Sequence, residues 1–278
     1  MKNAIALGTF DGIHRGHLAV LDMPDEYNKI AVTFSYPPKV QNPAEARLIM
    51  TCEDKCRVLG KIGIDETLVL EFERVKNISA EEFLLSLYEK YEPSLISCGF
   101  NYRFGKNRTG TADTVKEFCA LHNIEFSCKE PVTDNGKVVS STYIRSLIEE
   151  GKVDVAASLL AESFSFEAEV IKGDQRGRTI GFPTINQKYP VELVKLKFGV
   201  YEADVLFNGI KYRGITNIGV RPTFLSDYVI SETYIEGFSG DLYGESVRII
   251  PKKFLRGEMK FSGLEELKSQ IAADLRRK

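Results

Sequence analysis

The sequence predicts an α/β domain built on a doubly wound parallel sheet, followed by a small antiparallel β-barrel and a closing C-terminal helix. Three observations carry this. In the first half, short apolar runs alternate with helical patterns, which implies crossover connections and parallel strands. Beyond residue 160 the texture changes to short alternating strands punctuated by Gly, Asn and Pro, the pattern of a small barrel. The length, 278 residues, exceeds what one ordinary core needs and suits two. The expected domains are 1–160 and 161–278.

In order, Ala4 to Leu7, Ile30 to Phe34, Thr67 to Phe72 and Leu95 to Cys98 read as buried strands, with helices over Glu53 to Ile62 and Ala80 to Tyr91. Glu149-Glu150-Gly151-Lys152 stops a helix, and Val153 to Ala161 forms a short one leading away from the first domain. The barrel strands are expected over Phe166–Ile171, Gly199–Phe207, Tyr212–Ile218, Ser231–Ile235 and Ser246–Pro251. The last segment carries Leu264, Leu267, Ile271 and Leu275 at helical spacing and ends in basic residues, so one face should pack on the barrel. Arg256 and Glu258, just before it, read as an exposed pair of small energetic value.

A formal net charge of −2 argues against a surface built for nucleic acid, which needs a basic excess. The N-terminus enters an apolar strand directly, without the pattern of a signal peptide, and no run approaches the ~18 apolar residues of a membrane span. Cysteines 52, 56, 98, 119 and 128 form no C-x-x-C pair and read as reduced thiols without a metal. A cytoplasmic location follows as the expectation. Nothing in the sequence specifies a protein partner.

The run GTFDGIHRGH directly follows the first strand and contains two of the three histidines, His14 and His17. A strand, a Gly-rich turn and a helix start bring backbone N–H groups towards a phosphate. Imidazoles three residues apart can donate to phosphoryl oxygens as negative charge builds. The plain alternative is that Gly8, Gly12 and Gly16 only make turns and the histidines cap a helix. A second piece, CGFNYRFGKNRTG, also follows a strand. There Asn101 can bond a phosphate or ribose, and Arg103, Lys106 and Arg108 supply charge. In the third, VSSTYIRSL, Ser141 or Thr142 can cap the following helix while facing an anion, and Arg145 can clamp phosphate oxygens.

These strings, in this order and spacing, resemble the adenylyltransferase half of the bacterial bifunctional riboflavin kinase/FMN adenylyltransferase (FAD synthetase) family, a Rossmann-like nucleotidyltransferase domain. The resemblance implies that FMN attacks the α-phosphorus of ATP and that pyrophosphate leaves, with Gly8, Thr9, Phe10, Asp11, Gly12, Asn101, Ser141 and Thr142 around the nucleotide. His14, His17 and Arg145 would then supply positioning and charge neutralisation.

The string GDQRGRTIGFPTIN places glycines at 173, 177 and 181 after the first barrel strand. It is neither a Walker A loop nor the dinucleotide fingerprint, and a turn-rich surface loop would explain the glycines alone. Pro183-Thr184-Ile185-Asn186 adds two neutral oxygen donors suited to Mg²⁺. This run resembles the hallmark of riboflavin kinases. FGVYEADV, TNIGVRPTF and SETYIEGFSGDLYG extend the likeness over most of the second domain. The likeness implies a flavokinase barrel using riboflavin and ATP, with Gly173, Gly177 and Gly181 over the nucleotide, Thr184 and Asn186 at the metal, and Glu232 as base. By spacing alone Glu232 reads as a solvent-facing strand residue, and Arg221 reads equally as a phosphate contact or a loop support.

Two features depart from the family pattern. Only 15 residues, Leu18 to Val32, separate His17 from Thr33-Phe34, so the first helix must be short and end at Met23-Pro24-Asp25. Ile185 stands where alanine is common. The expectation is an enzyme that phosphorylates riboflavin to FMN and adenylylates FMN to FAD. The alternatives are a chain that keeps one activity, FAD synthesis above all, and a non-catalytic flavin-binding regulator.

Overall fold

The computed structural model describes residues 2–37, 40, 42, 45–173, 177, 181–221 and 228–276. The chain forms two compact units, Met1–Ile144 with Leu159–Glu162, and Arg145–Ser158 with Ser163–Lys278.

The first unit is a parallel sheet of β1 (Lys2–Leu7), β2 (Tyr27–Phe34), β3 (Glu66–Leu70), β4 (Pro93–Gly99) and β5 (Glu125–Lys129), in the order β3-β2-β1-β4-β5. Its helices are α1 (Arg15–Leu21), α2 (Cys52–Lys61), α3 (Phe72–Val75), α4 (Ala80–Tyr91) and α5 (Ala112–Leu121). Strand alternation sorts the core into two faces. Ile5 and Leu7 of β1 join Phe83, Leu84 and Leu87 of α4 and Val115 and Phe118 of α5. Ala4 and Ala6 face Val20 and Leu21 of α1 and Val58 and Leu59 of α2, where their small side chains admit the helices closely. Chain order reverses between β1 and β4, so the crevice of the sheet lies beyond Leu7 and Gly99, where both sequence-predicted loops begin.

β3 stops at Leu70, and Phe72 opens α3 instead of closing the strand as the apolar run suggests. Its partner β2 ends at Phe34, opposite Leu70, leaving nothing for a longer strand to pair with. The first helix is short, ending at Leu21 ahead of Met23-Pro24. A two-residue-strand hairpin, β6 (Thr133–Asp134) with β7 (Lys137–Val138), precedes α6 (Ser141–Glu149) and α7 (Val153–Leu159).

The second unit is a closed barrel of β8 (Phe166–Ile171), β9 (Thr184–Lys188), β10 (Gly199–Phe207), β11 (Ile210–Arg221), β12 (Tyr228–Ile235) and β13 (Ser246–Arg256), ordered β10-β11-β12-β9-β8-β13. Tyr201, Ala203, Val205, Ile218, Val247 and Ile249 fill its apolar interior. Thr216, Ser231 and Thr233 add a buried triangle of hydroxyls with sides of 2.8, 3.1 and 2.8 Å. β9 is a full barrel strand, although its polar residues do not announce one.

α8 (Leu264–Arg276) lies against β11, with Leu267, Ile271 and Leu275 half-buried. Its tether is polar: Asp274 is 2% exposed and receives Arg256 Nη2 at 2.8 Å and Nε at 2.9 Å. Arg213 Nη2 donates to Leu275 O, satisfying a helix-end carbonyl. Arg256, itself partly buried, therefore anchors the last helix through buried Asp274, which corrects its reading as half of a surface pair with Glu258. Removing one partner of a buried pair strands the other charge. D274A is expected to destabilise the barrel unit by about 3–5 kcal/mol, measured as a lowered unfolding midpoint in urea.

Candidate active sites

The loop after β1 is bent tightly. Phe10 and Ile13 have φ of 48° and 42°, and Gly12 has 89°. Positive φ at two bulky residues is costly and marks a segment held in place by its surroundings. The Phe10 ring lies over Gly8, where a Cβ would come within 2.6 Å of it. Thr9 O accepts from Thr33 Oγ1 at 2.8 Å, and Asp11 Oδ1 from the backbone N–H of Ile49 at 2.9 Å. On the far side Ala161 N donates to Ile13 O at 3.0 Å.

His14 is the N-cap of α1, its Nδ1 accepting from His17 N at 3.3 Å. The two imidazoles stack, with centroids 3.6 Å apart and planes 16° apart, and the edge of Phe10 meets His17 at 5.4 Å. His17 Nδ1 is buried without a hydrogen-bond partner. Burial, then the neighbouring imidazole, then the Lys55 ammonium hold its pKa well below the usual histidine value. A neutral imidazole still donates one N–H, which is what a phosphoryl oxygen needs.

Ser140 caps α6, accepting from Tyr143 N at 3.3 Å, in place of the expected Ser141 or Thr142. Ser141 instead donates to Asp11 O at 2.9 Å, which ties the start of α6 to the bent loop. The sequence register set the cap one residue late because three hydroxyl residues run together. Thr142 is exposed on the first turn, and half-buried Arg145 lies one turn further along the same helix. Asn101 is exposed in the loop after β4, as are Arg103, Lys106 and Arg108. That loop is braced by Tyr102 stacked on Phe104 and by Lys106 N donating to Ile78 O at 2.7 Å.

In the barrel unit, Thr184 and Asn186 share the outer face of β9. Register places Asn186 opposite Glu232 of β12, and Glu232 opposite Asn217 of β11, making a row of three side chains on one face. Glu232 is exposed, whereas Asn186 is 5% exposed with its Oδ1 unpartnered. The Asn186 carboxamide fills the space beside Gly173, where a Cβ would lie 2.4 Å from Nδ2. The loop folds back so that Phe182 N donates to Gly177 O at 2.9 Å, and Gly181 takes a φ of 82°. An orphaned, buried carboxamide oxygen two residues from a threonine hydroxyl is the kind of hard donor set that Mg²⁺ accepts. Asp174 to Arg176 and Arg178 to Ile180 of this glycine run, and Pro222 to Phe224 of the RPTF string, lie outside the described residues; Arg221 ends β11.

Residues 1–143 match the FAD synthetase family and residues 160–278 match riboflavin kinase. The bifunctional riboflavin kinase/FMN adenylyltransferase of Escherichia coli K12 is 32% identical over 97% of this chain and 90% of its own length. The chain belongs to that bifunctional family. The Listeria monocytogenes enzyme is likewise 32% identical, over 99% of this chain and 90% of that one. A Streptococcus pneumoniae crystal structure described as a macrolide-efflux protein superposes with a TM-score of 0.90, at 30% identity, covering 99% of this chain and 92% of that one. Among the described residues, no helix here is long and apolar enough to cross a membrane. The enzyme thus carries an FMN adenylyltransferase domain followed by a riboflavin kinase domain, both ATP-using.

Lys55 of α2 is absent from the sequence reading of the first site. Its Nζ donates to Phe34 O at 2.6 Å, Thr9 O at 3.1 Å and Thr33 Oγ1 at 3.2 Å, with the residue only 5% exposed. All three ammonium hydrogens are used, joining the bent loop to the end of β2. Burial lowers its pKa, and Asp11 opposes that shift first. In the string CEDKC nothing marks this lysine as buried.

K55M removes three hydrogen bonds that join the loop to the end of β2, together with the cation beneath it, so FAD formation from FMN and ATP is expected to fall by about a hundredfold. FMN formation from riboflavin, assayed on the same chain, is the comparison that should stay near the wild-type rate. For His17 the linkage sign is clear: the unfolded chain binds a proton near 6.5 and the folded one only well below it. Stability is thus full above that pH and declines as the pH falls through it. Urea titrations of the full chain between pH 8 and pH 5.5 should show this decline, and H17Q should flatten it.

Proposed function

We propose that the two units divide flavin cofactor synthesis at a functional boundary near residue 160, the barrel making FMN from riboflavin and the sheet domain making FAD from FMN. The observation that carries this reading is where unpartnered buried polar atoms fall. Among the described residues they are His17 Nδ1 in the first site, Asn186 Oδ1 and Asn217 Oδ1 on the outer row of the barrel, and Gln187 Oε1 within it. Such atoms are costly unless a ligand or an ordered water supplies the missing partner.

In the kinase reaction, the terminal hydroxyl oxygen of riboflavin bonds to the γ-phosphorus of ATP as the bond from that phosphorus to its bridging oxygen breaks. ADP leaves, and Glu232 takes the hydroxyl proton. Thr184 and Asn186 would hold Mg²⁺, which offsets phosphate charge when bound. Gly173, Gly177 and Gly181 let the loop backbone close over the nucleotide.

In the adenylyltransferase reaction, an FMN phosphate oxygen bonds to the α-phosphorus of ATP and pyrophosphate departs. This nucleophile is already ionised, so no base is needed. His14 and His17 donate to the phosphoryl oxygens as charge builds, and Arg145 clamps them. Gly8, Thr9, Phe10 and Gly12 present backbone to the phosphates, while Asp11 sets the shape of the loop. Asn101, Ser141 and Thr142 complete the nucleotide surround. Five free thiols accord with a cytoplasmic setting.

The test is a split of activities, followed by chromatography of FMN and FAD. H14A or H17A should cut FAD formation by about 10²–10⁴-fold and spare FMN formation, and E232A should do the reverse. A variant that loses both products, or loses the wrong one, overturns the assignment.

A further inference from the structure

We propose that Asn217 is a further substrate-positioning residue of the kinase, its side-chain oxygen accepting a hydrogen bond from the riboflavin hydroxyl next to the one that is phosphorylated. This deepens the reading of Glu232 as the base and rests on it.

Three observations converge. Register sets Asn217 directly opposite Glu232 on β11, as Asn186 is on β9, so the three side chains project from one face in the order Asn186, Glu232, Asn217. Directly opposed residues stand only ~5 Å apart. Asn217 Oδ1 is buried and has no partner, a state that typically costs ~1–3 kcal/mol and calls for a donor from outside the fold. Finally, Gly219 follows two residues on along the same face, and Glu258 Oε1 occupies the place of its missing Cβ, 2.3 Å from the ideal position, with Asn217 Nδ2 3.9 Å from that point. The flank beyond Glu232 is therefore polar and suited to hydroxyls.

The spatial order matches the order of the reacting parts. Phosphate and metal belong beside Asn186, the attacking oxygen must reach Glu232, and the rest of the sugar-alcohol chain must then extend away from the phosphate. Away from β9 along the row lies Asn217. A carboxamide oxygen there meets a donor that every polyol hydroxyl carries.

The test compares wild type, N217A and N217D with riboflavin and with an analogue lacking the hydroxyl next to the terminal one. For N217A the expected result is about a tenfold or greater loss of kcat/KM for riboflavin, with KM for ATP unchanged. The analogue should lose little further. Fluorescence titration should show weaker riboflavin binding without any turnover. N217D keeps an acceptor but sets a second carboxylate beside Glu232, so the acid limb of the FMN-formation profile should move to higher pH.

The proposal is overturned by an unchanged N217A, by equal losses for both flavins, or by a loss confined to KM for ATP. FAD formation from FMN checks folding. If N217A loses that as well, N217D decides: its carboxylate still accepts, so an N217D that makes FAD normally but no longer discriminates between the two flavins sinks the idea. E232Q separates the two readings, because full FMN formation by E232Q removes the base while leaving the Asn217 result standing.

Discussion

The absence of a Cβ at two places lets each glycine-bearing loop lie against a buried polar side chain. At Gly16 a Cβ would sit 3.1 Å from the His14 ring, and at Gly173 it would sit 2.4 Å from the Asn186 carboxamide. Both polar side chains are buried, 6% and 5% exposed. A Cβ at Gly173 would displace the amide, and one at Gly16 would make the His14 ring give by a few tenths of an ångström. Close approach of backbone is thus common to both candidate sites.

In the first unit that electrostatic arrangement has a definite sign. Lys55 carries a buried cation beneath the loop, and His17, next to it, is held neutral by burial and by two basic neighbours. A neutral imidazole donates without demanding a counter-ion, so the free enzyme need not bury a second cation beside Lys55. The α1 helix is only seven residues long, so its dipole is a small contributor beside the loop N–H groups and the ammonium.

Much of this was legible in the sequence, for reasons that can be named. Buried parallel strands read as apolar runs, so β1, β2 and β4 stand out, and the glycine-histidine string follows the strand at the point where chain order reverses. β9 was hidden because both of its faces are polar: Asn186 faces out opposite Glu232, and Gln187 faces into the barrel, donating to Ala168 O and Val247 O. Lys55 was hidden because a long side chain can leave a polar helix face and end in the core, which periodicity does not record. Arg256 was misread because its partner Asp274 lies 18 positions on, and pattern rules weigh only near neighbours.

The two sites differ in the one group their chemistries treat differently. The carboxylate within the first loop, Asp11, is turned inward, 3% exposed, and accepts from Ile49 N. The carboxylate of the second row, Glu232, is exposed and stands between two carboxamides. A phosphate nucleophile arrives ionised, and an anion facing it would repel it; a hydroxyl nucleophile arrives protonated, and an anion facing it can take the proton. An inward carboxylate with neutral donors suits the first case. An outward carboxylate flanked by acceptors suits the second, so on the proposed reading carboxylate orientation, more than loop shape, distinguishes adenylyl transfer from phosphoryl transfer to an alcohol.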